Sequence, residues 1–334
     1  MQRIERAVVH YGKSTGFFSD KMVQRGPAYL SAAVLYENLV VESYQKSPAL
    51  PLVAVYPTEG TFWADHPYAI LDAPWVDAEG REAAQSFLAF LKARPVQERA
   101  LALGFRPGDP AIAIRTPVDA AHGADPQQPQ TLLEVPDAPV LESLLELWRK
   151  SKRPANVVLV MDKSGSMRGE PLEQAKAGAV RFLDSLQGED SVTLVLFDNQ
   201  VYPAVGPLRL SSGKAELAQR IRSVFANGGT SLYDATLAAH ALAQTQADAD
   251  PARIHAVLVM TDGRDENSTK TLKAVREQLS SEEHPKSVPV FTIAYGDQAD
   301  GSILEQIAES AQGSSARGTS QTIVQVYQDM ASFF

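Results

Sequence analysis

The chain has 334 residues, which predicts about two domains at roughly 150 residues per domain. Its 31 Lys and Arg and 40 Asp and Glu give a net charge of −9 without a basic run, so nucleic acid is not expected as its main partner. The absence of Cys excludes disulfides, thiolate metal sites and cysteine nucleophiles. No apolar run approaches the ~18 residues of a membrane span, and the first residues lack the basic-then-apolar layout of a signal peptide.

Residues 1–115 are predicted to form a smaller α/β domain. An apolar run at 52–56 predicts a strand that ends in a turn at 57–60. Apolar residues at helical spacing follow at 79–91 and again at 96–103, where Gly and Pro signals end the pattern.

Residues 116–153 are predicted to be a linker followed by a short amphipathic helix. The composition up to residue 139 is rich in Pro, Asp, Gln and Ala, which is typical of a linker. Apolar residues at helical spacing then predict a helix over 138–152, which we expect to pack on a neighbouring domain. These residues are Leu141, Leu144, Leu145 and Trp148.

Residues 154–334 alternate strands with helices. Four continuous apolar runs are typical of strands buried on both faces. They cover 157–161, 191–197, 255–260 and 288–295. The helical stretches are 170–186, 213–225, 233–247, 268–280, 301–311 and 321–333. This alternation predicts a doubly wound α/β fold with a mostly parallel sheet covered on both faces. Residues 201–210 contain two prolines and favour an edge strand.

Three polar segments lie where a parallel sheet binds its ligands, at the carboxyl ends of strands. Asp162-Lys-Ser-Gly-Ser follows the first strand, and Thr261-Asp-Gly follows the third. A glycine-rich loop, Asn227-Gly-Gly-Thr-Ser, precedes a helix. Two carboxylates and three hydroxyls without His or Cys form a hard oxygen site suited to Mg²⁺, Ca²⁺ or Mn²⁺. The alternative is that Asp162 and the serines cap a helix that starts near Gly169.

The three segments, in this order, resemble the von Willebrand factor A domain, which has a Rossmann-like fold. The pattern is Asp-x-Ser-x-Ser after a buried strand, Gly-Gly-Thr-Ser-Leu-Tyr-Asp before a helix, and Thr-Asp-Gly after a later strand. The resemblance covers 154–334 and implies a metal-ion-dependent adhesion site (MIDAS). Its implied metal-binding residues are Asp162, Ser164, Ser166, Thr230 and Asp262.

The first third of the chain is similar to the carboxyl-terminal half of the type 2 periplasmic solute-binding fold. The similarity includes Tyr-Gly-Lys-Ser-Thr-Gly at 11–16 and Gly-Thr-Phe-Trp-Ala-Asp-His-Pro-Tyr at 60–68. It implies a bacterial protein that fuses such a module to an A domain. Those proteins are exported and anchored to the membrane through an upstream segment, so an extracytoplasmic location is expected. Candidate contacts to a small molecule are Tyr36, Glu37, Thr61 and Trp63, with packing at strand ends as the alternative.

Three functions follow from these patterns. The favoured one is a metal-dependent adhesion or assembly module, in which the cation captures an acidic side chain of a protein partner. The second is a solute receptor whose N-terminal module binds a small ligand and signals through the A domain. The third is a metal-dependent hydrolase; we expect no enzyme activity, because no His or spare carboxylate is placed as a general base within the motif segments.

Overall fold

The computed structural model of the chain describes residues 2–5, 7–8, 14–46, 49–280, 288–296, 299–319, 321–331 and 333–334. The chain divides into two compact units. The sheet unit comprises residues 1–11 and 147–334, and the helical unit comprises residues 12–146. Within the described residues, no helix is both long enough and apolar enough to cross a membrane.

The elements are numbered along the chain. In the described part of the chain the α-helices are α1 (Gln2–Glu5), α2 (Thr15–Arg25), α3 (Glu37–Ser43), α4 (Ala78–Lys92), α5 (Arg94–Ala102), α6 (Ala138–Ser151), α7 (Glu170–Ser185), α8 (Leu210–Arg222), α9 (Leu232–Ala249), α10 (Leu272–Leu279), α11 (Gly301–Ser310) and α12 (Ile323–Ala331). The strands are β1 (Ala155–Asp162), β2 (Ser191–Phe197), β3 (Val205–Arg209), β4 (Ile254–Thr261), β5 (Val290–Tyr295) and β6 (Ser315–Gly318).

The strands form one sheet in the order β3-β2-β1-β4-β5-β6. β3 is antiparallel to β2, and all other neighbouring pairs are parallel. The predicted mostly parallel α/β fold is therefore confirmed, and the predicted edge strand is β3. The strand order reverses between β1 and β4, which makes their carboxyl ends the topological switch point of the sheet. The sequence does not predict β6, because its residues Ser-Ala-Arg-Gly contain no apolar run.

The central strand β1 packs against helices on both faces of the sheet. Its side chains alternate between the faces, as the two-residue period of a strand requires. Val157, Leu159 and Met161 belong to the core beneath α7, α8 and α12. Val158 and Val160 belong to the core beneath α9, α10 and α11. Both faces are buried, which explains why β1 is a continuous apolar run.

The helical unit differs from the predicted α/β domain. Its predicted helices are confirmed as α4 and α5, and the helix predicted at 138–152 is confirmed as α6. The strand predicted at 52–56 is wrong, because no strand forms among the described residues of 12–146. The backbone N–H of Ala54 donates to the carbonyl of Gly123 at 2.8 Å, and the unit's β pairing is an isolated bridge between Thr61 and Leu132.

Tyr327 of α12 carries a buried hydroxyl without a hydrogen-bond partner in the described part of the chain. Its ring packs against Phe182 of α7, with ring centroids 6.1 Å apart. An unpaired buried hydroxyl costs about 1–3 kcal/mol of desolvation. We therefore expect Tyr327→Phe to raise the free energy of unfolding by about 1 kcal/mol in urea titrations. Tyr202→Phe is the matched control and should lower it, because the Tyr202 hydroxyl donates to Asp198 at 2.8 Å. Equal losses in both variants would contradict this assignment.

His255 of β4 predicts a pH dependence of stability. Its Nε2 lies 2.8 Å from the carbonyl of Asp250, and its buried Nδ1 has no partner among the described residues. Burial lowers the pKa of His255; Arg253 and Arg153 act in the same direction, and Asp250 opposes them. The neutral ring is favoured in the folded state, so stability is lost as the pH falls below the unfolded value of about 6.5.

The His255→Gln variant isolates this effect, because its amide N–H can still donate to Asp250. We expect a shallower fall in unfolding free energy than the wild type between pH 7.5 and 5. The difference in slope cannot exceed about 1.4 kcal/mol per pH unit for one proton. Urea titrations at several pH values measure it, and parallel curves for the two proteins would contradict the prediction.

Candidate metal site at the switch point

Asp162 is the last residue of β1 and lies buried at the switch point. Its Oδ1 accepts the backbone N–H of Ser164 at 2.7 Å, which folds the following loop back over the strand end. Its Oδ2 accepts the hydroxyl of Thr261, the last residue of β4. The carboxylate therefore ties together the ends of the two central parallel strands. The helix-capping alternative is wrong, because the N-cap of α7 is Gly169 and no side chain caps it.

Two serine hydroxyls connect the first loop to the second carboxylate. The Oγ atoms of Ser164 and Ser166 are 3.0 Å apart. The Ser166 hydroxyl donates to Oδ1 of Asp262 at 2.8 Å. The N–H of Gly165, between the serines, donates to the carbonyl of Gly228 at 2.8 Å and so fixes this loop against the glycine-rich loop.

Thr230 supplies the third hydroxyl, and hydrogen bonds to its backbone groups hold it in place. Its N–H donates to Oδ1 of Asn267 at 3.1 Å, and its carbonyl accepts the N–H groups of Glu266 and Asn267 at 2.8 and 3.0 Å. A Cβ on Gly263 would lie 3.2 Å from Oγ1 of Thr230 and 3.7 Å from Oγ of Ser166. Both hydroxyls therefore border the space that the missing side chain of Gly263 leaves open. The structure thus brings all five predicted site residues to one place.

The electrostatics of this cluster suit a cation. Burial raises the pKa of Asp162 to about 6, against the hydrogen bonds from Thr261 and Ser164. Burial also raises the pKa of Asp262, against the hydrogen bond from Ser166. Within the described residues, neither carboxylate forms an ion pair with Lys, Arg or His. Two buried carboxylates without a cationic partner and three neutral hydroxyls fit a hard divalent ion.

The lysine inside the motif points away from the cluster. Lys163 forms a buried ion pair with Asp198, which follows β2, and its Nζ lies 4.5 Å from the ring centroid of Tyr202. Burial favours the neutral form of Lys163, but its hydrogen bonds and charge interactions with Asp198 and Tyr202 together raise its pKa. No described group of three His, Cys, Asp or Glu forms a metal site, so a bound ion would depend on the hydroxyls.

Several residues that shape the site have no signal in the sequence. Asn267 anchors Thr230, and Asp265 accepts the N–H of Tyr233 at 3.1 Å at the start of α9. Asp265 follows the Thr-Asp-Gly motif and connects the loop after β4 to the first turn of α9. Only the fold makes this contact visible, since Tyr233 and Asp265 are far apart in sequence.

The predicted small-molecule contacts lie in the helical unit. Glu37 accepts two hydrogen bonds from the guanidinium of Arg106, at 2.7 and 2.8 Å, and another from the hydroxyl of Tyr56. Arg106 also lies over the ring of Trp63, 5.6 Å from its centroid. The structure thus joins Glu37 and Trp63 through an arginine that the sequence did not single out. Their contact with a small molecule stays a prediction.

Among the described residues, no hydrogen bond links the other two predicted contacts, Tyr36 and Thr61, to Arg106, Glu37 or Trp63. Tyr36 is the N-cap of α3 and is exposed. Thr61 forms the isolated bridge with Leu132. A ligand-binding role for either residue likewise stays a prediction.

The carboxylates and hydroxyls described above lie at the switch point of a doubly wound α/β sheet, which is the place where open sheets bind their ligands. Residues 156–328, more than half of the chain, match the family model of the von Willebrand factor type A domain. The chain belongs to this family.

Relatives match about half of the chain. Uncharacterized protein sll0103 of Synechocystis is 32% identical over 164 residues, which is 48% of this chain and 37% of that protein. Inter-alpha-trypsin inhibitor heavy chain H4 of Sus scrofa is 30% identical over 171 residues, 49% of this chain and 18% of that protein. The solved von Willebrand factor type A protein from Catenulispora acidiphila is 21% identical, with a TM-score of 0.46, and the match covers 54% of this chain and 42% of that one. The chain therefore spans less than half the length of each of these proteins.

Proposed function

We propose that the chain is a metal-dependent protein-binding module. Asp162, Ser164, Ser166, Thr230 and Asp262 would hold one divalent cation, Mg²⁺ or alternatively Ca²⁺ or Mn²⁺. The bound cation would supply a positive charge that accepts a carboxylate from a partner protein. The observation that carries the proposal is the cluster of five oxygen-bearing side chains, whose two buried carboxylates lack a cationic partner among the described residues.

The donor set favours capture of an external acid. Three of the five groups are neutral hydroxyls, so the ion would keep much of its positive charge if the serines and Thr230 bind it directly and the two aspartates act partly through water. Hydrogen bonds from Thr261, Ser164 and Ser166 already share the negative charge of these carboxylates. A further anion is therefore a favourable ligand, and an acidic side chain is the commonest one that a protein partner can offer.

We propose binding and not catalysis at this site. Catalysis by a metal-activated water needs a general base within hydrogen-bond reach. The described histidines have contacts outside the cluster. They are His66 with Phe105, His122 with Asp119, His240 with Val288 and His255 with Asp250. An extracytoplasmic location is part of the same proposal, since it rests on the family resemblance.

Thr230 gives a matched pair of variants that tests the proposal. Thr230→Val removes the hydroxyl but keeps the shape of the side chain, whereas Thr230→Ser keeps the hydroxyl. We expect Thr230→Val to weaken Mg²⁺ binding by about tenfold or more in calorimetry, because even partners outside the direct ligand set change metal affinity by 10–100-fold. Thr230→Ser should stay close to the wild type.

The same proteins then serve as baits in pull-downs from the source organism, with Mg²⁺ or with a chelator. We expect one or more captured proteins that require both Mg²⁺ and the hydroxyl of residue 230. Equal Mg²⁺ affinity in the Val and Ser variants would contradict the ligand assignment. Capture that persists in chelator would contradict the metal-dependent mode of binding.

A further inference from the structure

Phe225 is the one large hydrophobic side chain that is exposed in the described part of 154–334, with 70% of its surface accessible. The preceding Val224 is buried, so the backbone there is anchored in the core. Isolated exposed apolar residues are common and need no explanation by themselves. The position of Phe225 beside the candidate metal site is what distinguishes it.

The loop that carries Phe225 is fastened to the first metal-binding loop. The N–H of Asn227 donates to the carbonyl of Lys163 at 2.8 Å, and Gly228 accepts the N–H of Gly165. The Nζ of Lys163, the residue between Asp162 and Ser164, lies 5.5 Å from the centroid of the Phe225 ring. The backbone next to Phe225 is therefore fixed against the first metal-binding loop, and the Phe225 side chain is exposed beside that loop.

Two arginines follow the metal-binding loops in a chain whose net charge is −9. Arg168 lies two residues after Ser166, and Arg264 lies two residues after Asp262. Both are exposed, and neither forms an ion pair within the described residues. Glu170, Asp265 and Glu266 lie in the same two segments, so net local charge does not steer a partner. The guanidinium groups of the two arginines can still donate hydrogen bonds to carboxylates of a partner.

We infer that the partner binds through an acidic segment in which a large apolar side chain lies within three residues of the carboxylate that reaches the cation. The apolar side chain packs on Phe225, and further acidic residues of the segment face Arg168 and Arg264. This inference rests on the proposed function and adds a recognition surface to it. A few residues near the centre of an interface, aromatic residues prominent among them, usually supply most of the binding energy.

A displayed library of random heptapeptides tests the inference on the intact chain. Peptides are captured on the Mg²⁺-loaded protein and eluted with a chelator. We expect the eluted peptides to be enriched in Asp or Glu with Leu, Phe, Trp or Tyr within three positions. Against the Phe225→Ser variant, the acidic enrichment should remain and the apolar enrichment should disappear. Individual peptides should bind this variant about tenfold more weakly, while its Mg²⁺ affinity is unchanged.

The outcomes distinguish the role of Phe225 from the metal-dependent binding of the proposed function. Acidic, Mg²⁺-dependent peptides without apolar neighbours, or equal affinity for the wild type and Phe225→Ser, would overturn the role of Phe225 and leave the proposed function standing. A library without any chelator-sensitive acidic enrichment would overturn both. A thermal melt of Phe225→Ser at the wild-type temperature confirms that the fold is kept, as expected for an exposed side chain.

Discussion

Replacement of Asp162 by Asn is expected to abolish the stabilisation of the chain by Mg²⁺. The wild type should gain about 2.7 kcal/mol of unfolding free energy at a Mg²⁺ concentration 100 times its Kd, because a ligand of the folded state stabilises by mass action. The variant lacks one of the two charges of the site, so no comparable gain should appear. Thermal melts with and without Mg²⁺ measure this difference directly, and calorimetry should show the same loss of affinity.

The Asp162→Asn variant also separates metal binding from folding. Its new amide can still accept the N–H of Ser164 and can donate to the hydroxyl of Thr261, so the connection between β1 and β4 is kept. Burial raises the pKa of Asp162, which means that its negative charge destabilises the folded state when no metal is bound. In chelator the variant should therefore be at least as stable as the wild type.

Asp184→Asn on α7 is the matched control for Asp162→Asn. Asp184 is an exposed carboxylate that pairs with Lys214 at 2.6 Å, away from the site residues. The stability of the Asp184→Asn variant should respond to Mg²⁺ as that of the wild type does. A Mg²⁺ response that survives in Asp162→Asn would count against the site, and a large loss of stability in chelator would show that Asp162 has mainly a structural role.

The sheet unit was predictable because its strands are buried on both faces. A continuous apolar run such as 157–161 is typical of a strand buried on both faces of a parallel sheet, and this pattern predicts β1, β2, β4 and β5. The run at 52–56 is also apolar, but its environment is different. Val53 and Val55 are 68% and 86% exposed. Apolar residues there indicate extended backbone, but a strand also needs a neighbour, and the sequence contains no information on that neighbour.

The residues that form the candidate site were predictable from the sequence, but the residues that hold them in place were not. Asp162, Thr230 and Asp262 stand beside strand ends or a glycine-rich turn, where local pattern and fold topology agree. Asn267 acts on Thr230 across 37 positions, and Asp198 acts on Lys163 across 35. Such pairs depend on which loops the fold brings together. A lone Asn or Asp in a loop has no local feature that distinguishes an anchor from a solvated residue.

Lys163→Met is expected to cause the largest loss of stability, about 3–5 kcal/mol of unfolding free energy, which is typical for breaking a buried ion pair from one side. Asp198 is almost fully buried, and its carboxylate also accepts the hydroxyl of Tyr202 and the N–H of Gln200. Burial opposes the charged form of Asp198, yet these donors together with Lys163 hold its pKa below the ordinary value. Removal of the ammonium leaves a buried carboxylate without its counter-charge.

Urea titration of three variants measures this effect against its controls. Lys214→Met removes a lysine from an exposed ion pair with Asp184 and should change the free energy of unfolding by less than about 1 kcal/mol. The double variant Lys163→Met with Asp198→Asn removes both charges and should recover most of the loss, because the remaining amide can still accept from Tyr202 and Gln200. If Lys163→Met loses no more than Lys214→Met, the buried pair does not hold the loop of Asp162, Ser164 and Ser166 in place. If the double variant is as unstable as Lys163→Met, the loss comes from the contacts of the lysine with the rings of Tyr202 and Phe225 and not from the unpaired carboxylate.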